Sequence, residues 1–115
     1  MSRSDRDRLG DILGRVDAIA DAEELLTAAE SANDSKLANT AFDAILYDLL
    51  VIGEAVKTLP QELVQRHPEI PWSDIAKLRD LLAHIYFKVS SEVIRNTINA
   101  PLSALREACR AEVNR

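Results

Sequence analysis

The sequence predicts an all-α domain, an antiparallel bundle of four to five helices with a kinked last helix, and three observations carry that reading. Apolar residues recur every three or four positions, no stretch alternates apolar and polar residues as a half-buried strand does, and only three glycines and four prolines punctuate 115 residues. A single domain over residues 1–115 is expected, long enough for one core and short enough that self-association adds stability.

The first helix is expected from about Asp5, with Ser4 as its N-cap. Leu9, Ile12, Leu13, Val16, Ile19 and Ala20 trace one stripe, continued by Leu25 and Leu26. Ser31-Ala32-Asn33-Asp34-Ser35 then reads as a turn or the cap of the next helix, because these side chains compete for backbone hydrogen bonds. The second helix runs to about Leu59 on a stripe of Leu37, Ala41, Ala44, Ile45, Leu49, Ile52 and Val56. Pro60 ends it by pushing the preceding residue out of the helical region, and can itself open a short third helix through His67.

Pro68-Glu69-Ile70-Pro71-Trp72 carries two prolines and reads as a fixed connector, anchored to the core by Ile70 and Trp72. A further helix starts at Trp72 or Ser73 and runs through Ile75, Leu78, Leu81, Leu82 and Ile85, with Asp74 near its positive end. Ser90 or Ser91 caps a last helix to about Val113, in which Pro101 must kink or break the rod near Asn99. Long helices with short connections pack most simply as antiparallel neighbours.

Composition narrows the function classes. A net charge of −5 and a pI near 5.0 oppose a broad basic surface, so any nucleic-acid contact has to be local. No apolar run reaches the ~18 residues of a membrane span, and Met1-Ser2-Arg3-Ser4-Asp5-Arg6 lacks an apolar signal region, so no membrane association and a cytoplasmic location are expected. Cys109 has no disulfide mate and reads as a packing residue. Two histidines and one cysteine give no ligand spacing, so neither metal nor cofactor is expected. His67, before a proline in a turn, is expected to be solvated, and Tyr47 and Asp48 to form a polar edge that could also line a notch. Gly53 costs ~1 kcal/mol in a helix interior relative to Ala, and close approach of another backbone is the usual compensation. That part of helix two, with Glu54, therefore faces the Arg79 helix or a second copy of the chain.

Chemistry concentrates in Arg79-Asp80-Leu81-Leu82-Ala83-His84-Ile85-Tyr86. A guanidinium holds phosphate, an imidazole moves protons near neutral pH, and a phenol offers a hydroxyl. On an ideal helix Arg79 and Tyr86 lie roughly 20° apart but Arg79 and His84 about 140°. Either the helix loosens after Ala83 or a second chain completes the site. Asp80 and His84, four residues apart, suit an orienting pair. Metal-free RNA cleavage by the ribose 2′-OH needs a base, an acid and a cation that steadies the phosphorane. One histidine serves one proton role at a time, so a two-fold dimer uniting Arg79 and His84 of both chains would supply the full set. The same residues also suit a plain structural reading, with Arg79 in an ion pair, His84 at a helix C-terminus and Tyr86 as a packing aromatic.

The spacing of Arg79, His84 and Tyr86, with the polar Asp80 directly after the arginine, resembles the signature of HepT-like toxins of the HEPN superfamily. The likeness extends through Ile52-Gly53-Glu54-Ala55-Val56-Lys57, Leu59-Pro60, the Pro68–Trp72 connector, Ile75-Ala76-Lys77-Leu78-Arg79, Tyr86-Phe87 and Pro101-Leu102, covering roughly residues 5 to 112. It implies an α-helical HEPN fold, a homodimer, and a metal-independent endoribonuclease acting on RNA with Arg79 and His84 catalytic and Asp80 and Glu54 supporting. It further implies a toxin–antitoxin partnership with an MntA-like minimal nucleotidyltransferase, which transfers AMP from ATP to Tyr86. Leu81, Leu50 and Asp48 depart from the resemblance, which usually has a basic or polar residue, a glutamate and an asparagine there. The acidic charge and apolar stripes also fit a different class, a non-catalytic helical binding subunit docked onto such a nucleotidyltransferase.

Overall fold

The computed structural model describes residues 3–85, 94 and 100–115, without the side chains of 3 and 83–85. Five α-helices are described: α1 (Arg3–Ser31), α2 (Ser35–Lys57), α3 (Gln61–Gln65), α4 (Trp72–Ile85) and α5 (Ala100–Val113). No strand occurs among the described residues, and the all-α expectation holds.

The α1–α2 turn is three residues long, Ala32-Asn33-Asp34. Asn33 adopts the left-handed conformation (φ 56°), the Asp34 N–H donates to the Ala29 carbonyl at 2.8 Å and the Asn33 N–H to that of Glu30 at 3.2 Å. This pattern closes a helix C-terminus and satisfies its last carbonyls. Asp34 then caps α2, its Oδ1 accepting the Leu37 N–H at 3.1 Å. With so short a connection, α2 must return along α1. Ser4, expected to cap α1, lies inside the helix instead.

Along α1 the buried residues are Leu9, Ile12, Val16, Ile19, Ala22, Leu26 and Ala29. Ala20 and Leu25, expected on the same stripe, face outward, Leu25 being 51% exposed. Each sits about 100° of helix rotation from a buried neighbour, Ile19 or Leu26, which moves it off the seam. On α2 the seam is Ala41, Ile45, Leu49, Ile52 and Val56, whereas Leu37 and Ala44 lie outside it. α1 packs along α2, α2 also packs against α4, and α5 covers α1. α1 and α2 thus form the spine of the bundle.

Pro60, in extended backbone, is the N-cap of α3, and Ile70 and Trp72 are buried as expected. The Trp72 indole N–H donates to the His67 carbonyl at 2.9 Å, which fixes the connector onto the start of α4. Asp74 lies in the first turn of α4. His67 corrects the solvated expectation: its side chain is largely covered, and Nε2 lies 2.6 Å from Oε2 of the buried Glu112 on α5. Arg66 adds Nε at 3.2 Å and Nη2 at 2.5 Å. These hydrogen bonds, the Arg66 pair first, hold the Glu112 carboxyl down to about 2 despite its burial. The clasp joins α3 to α5, while Arg106 Nη2 to Asp17 Oδ1 at 2.8 Å joins α5 to α1.

Cys109 is buried, and burial pushes its thiol up to about 12, in keeping with a packing role. Pro101 stands in the first described turn of α5, but the kink near Asn99 and the Ser90 or Ser91 cap lie outside the described residues. No helix among the described residues is long and apolar enough to cross a membrane.

Candidate active-site groove

The α2–α4 crossing is centred on Gly53. A Cβ built there would overlap the Cβ of Arg79 and stand 3.0 Å from its Cγ and 3.2 Å from its Cα. The helix-weakening glycine is therefore the condition for Arg79 to lie directly against α2. The sequence left two occupants for that face, and the structure places the Arg79 helix there.

This approach decides where the guanidinium goes. Arg79 Nε lies 2.7 Å from Glu54 Oε2, one residue beyond the glycine, and Arg79 Nη1 lies 3.2 Å from Asp80 Oδ1. Lys57, one turn after Glu54, reaches the same Asp80 oxygen at 3.0 Å. The result is an alternating row of Glu54, Arg79, Asp80 and Lys57 across the α2–α4 seam. The Lys57 hydrogen bond, with Arg79 behind it, holds the Asp80 carboxyl below its ordinary range. All four groups retain solvent access, Arg79 least at 29%. A row of part-exposed charges contributes little to stability but presents an ordered set of donors to an incoming anion.

Beside the row runs an open groove of about 540 Å³ lined by Arg8 and Asp11 of α1, by Glu54 and the apolar Leu50, Val51 and Ala55 of α2, and by Arg79 of α4. Its size lies within the range of small-ligand clefts, roughly 300–1,000 Å³.

Of the expected site residues, Arg79, Glu54 and Asp80 come together. His84 belongs to α4 by its backbone, its side chain is not among those described, and Tyr86 lies outside the described residues. The described partners of the Asp80 carboxylate are Lys57 and Arg79. Leu81 is on the surface at 36% exposure. Asp48 departs from the expected polar edge: it is buried and accepts from Arg15 Nη1 at 3.1 Å, whereas Tyr47 beside it is 60% exposed. Sequence reasoning did not single out Lys57, although its i,i+3 spacing from Glu54 was a usable signal. Nothing local pointed to Arg8 and Asp11, which reach the groove from the opposite end of the sequence.

Comparison with known proteins identifies the family. Residues 16–112 match the family described as Ribonuclease HepT-like. The chain is 35% identical over 106 residues to a protein of Thermococcus cleftensis named "Probable ribonuclease HepT", covering 92% of this chain and 93% of the relative. It is 40% identical over 86 residues to "Putative RNase MJ0127" of Methanocaldococcus jannaschii, covering 75% of this chain and 68% of that protein. No solved structure gave a match.

Proposed function

The chain belongs to the ribonuclease HepT-like family, and on that premise we propose that it is a metal-independent endoribonuclease toxin whose catalytic residues are Arg79 and His84. The observation that carries the reading is the Gly53 crossing, which spends helix stability to press Arg79 against α2 with its guanidinium at the edge of a groove. An RNA phosphate takes the place of the Glu54 carboxylate on Arg79, exchanging one charge-assisted pair for another. The 2′-OH then attacks the adjacent phosphorus. Its proton goes to an imidazole, the guanidinium stabilises the phosphorane, and a second imidazole protonates the departing 5′ oxygen, leaving a 2′,3′-cyclic phosphate. Each chain brings one His84, so the functional unit is a homodimer with two such residues at one cleft. Glu54 holds Arg79 in place until RNA arrives, and Asp80 orients Arg79 and keeps Lys57 beside it.

Regulation follows from the same segment. A partner of the MntA-like minimal nucleotidyltransferase class brings the Tyr86 oxygen to the α-phosphorus of ATP. The phenol loses its proton, pyrophosphate leaves, and AMP remains bonded to the tyrosine. The added phosphate competes with RNA for the Arg79 guanidinium.

Purified protein should cleave RNA in the presence of EDTA and lose that activity on Arg79→Ala or His84→Ala. Equal cleavage by all three would reject the catalytic assignment. After co-expression with a neighbouring nucleotidyltransferase, mass spectrometry should find AMP on Tyr86, and a Tyr86→Phe protein modified to the same extent would refute that acceptor. Complex formation without any RNA cleavage would instead favour the non-catalytic binding subunit.

A further inference from the structure

The groove has a second wall that the ion row does not use. Arg8 and Asp11 stand three residues apart on α1 and so share one helix face. The Arg8 guanidinium makes two long contacts, Nη1 to Asp5 Oδ1 at 3.4 Å and to the Thr58 carbonyl at 3.5 Å. Both sit at the outer limit of hydrogen-bond geometry, so most of its donor fork is uncommitted. Asp11 is exposed and has no hydrogen-bond or ionic partner among the described residues. Between this pair and Arg79 lies the apolar floor of Leu50, Val51 and Ala55.

An apolar floor with a cationic fork and a carboxylate side by side on the rim complements a flat heteroaromatic ring. The floor takes the face of the ring and the rim reads its edge. Guanine matches both rim groups: N1–H and N2–H₂ are parallel donors suited to one carboxylate, while O6 and N7 accept from a guanidinium. Uracil presents a single N–H between two carbonyls, so a carboxylate that accepts the N–H also meets at least one of those oxygens. Adenine and cytosine each offer one amino group. We propose that this groove is a base subsite that prefers guanine, with Arg8 and Asp11 as specificity-determining residues, next to a phosphate held by Arg79. The proposal rests on the ribonuclease reading for its substrate, and adds the base that flanks the bound phosphate.

Titration of the isotopically labelled full chain with guanosine 3′-monophosphate and with uridine 3′-monophosphate, followed by amide NMR, tests it without requiring turnover. The guanosine nucleotide should bind at least ~5-fold more tightly and shift the amides of Arg8, Asp11, Val51 and Ala55. Asp11→Ala should abolish the preference and Arg8→Gln should weaken both nucleotides, with melting temperatures close to wild type. Should Asp11→Ala prove unstable, Asp11→Asn serves the same comparison. Equal affinity for the two nucleotides, shifts confined to other surfaces, or a preference that survives both substitutions would overturn the proposal. The two readings fail separately: RNA cleavage without guanosine preference removes only the subsite, and guanosine preference without RNA cleavage removes only the nuclease.

Discussion

Gly53→Ala opposes two effects whose sizes can be worked out. Helix propensity favours alanine by ~1 kcal/mol at an interior position. Against this, the new methyl overlaps the Arg79 Cβ and lies 3.2 Å from its Cα, so the obstacle is the root of the side chain and the α4 backbone rather than a movable tip. Ordinary carbon contacts need ~3.5–4.0 Å, so the α2–α4 pair must part by on the order of an ångström. Over-packing of this kind costs up to ~3 kcal/mol, which leaves a net loss of about 2 kcal/mol. With an unfolding entropy of ~2.1 cal/mol/K per residue, the melting temperature should fall by roughly 8 °C. Gly10 and Gly14 on α1 are the internal control, because a Cβ at either meets nothing within 4 Å. Gly10→Ala and Gly14→Ala should each stabilise by up to ~1 kcal/mol, raising the midpoint by roughly 4 °C. Helical circular dichroism melts at one fixed protein concentration measure all three. A Gly53→Ala protein that melts at or above wild type would show that the crossing does not depend on glycine, and the placement of Arg79 would need another cause.

Three further outcomes are expected. Glu112 has its carboxyl depressed to about 2, so its stabilising contribution is complete above about pH 4.5 and disappears as pH falls through about 2. At 1.4 kcal/mol per unit this is roughly 3 kcal/mol, and urea midpoints at pH 6, 4 and 3 should fall more steeply in wild type than in Glu112→Gln. Cys109 should resist thiol reagents at pH 8 until denaturant is added, since its thiol is buried and raised to about 12; rapid labelling of the folded protein would contradict that burial. Arg15→Ala should cost ~1–3 kcal/mol by leaving the Asp48 carboxylate buried and unpaired, and adding Asp48→Leu should recover most of it. An additive double-variant loss would show that the two residues do not act as a pair.

The parts of this fold that were legible in the sequence are those governed by residues within a turn of one another. Asn33 and Asp34 announce the first reversal, Pro60 and the Pro68–Trp72 segment mark the next breaks, and the apolar spacing gives the helices. Gly53 was legible as a close approach because its propensity cost demanded a reason. What stayed hidden lies far apart in the chain. His67 finds Glu112 across 45 positions and Arg15 finds Asp48 across 33, and no local rule marks either member as half of a pair. Arg8 and Asp11 likewise join the groove only because α1 and α2 run side by side. Seam positions erred in two ways: Leu25 sits one step off the buried line, and Leu37, in register with Ala41, lies in the exposed first turn of α2.

The Asn33–Asp34 reversal bears on the order in which the parts of the chain become structured. Helices joined by so brief a link meet at little entropic expense, so the first two form the cheapest nucleus and leave the ribosome first. The guanidinium of Arg79 acquires its seat only when a later helix settles on that pair. Pulse-labelled hydrogen exchange should accordingly protect amides of residues 9–29 and 41–56 ahead of those of 75–82, giving a window during synthesis in which the first two helices are ordered and the Arg79 seat is not yet built.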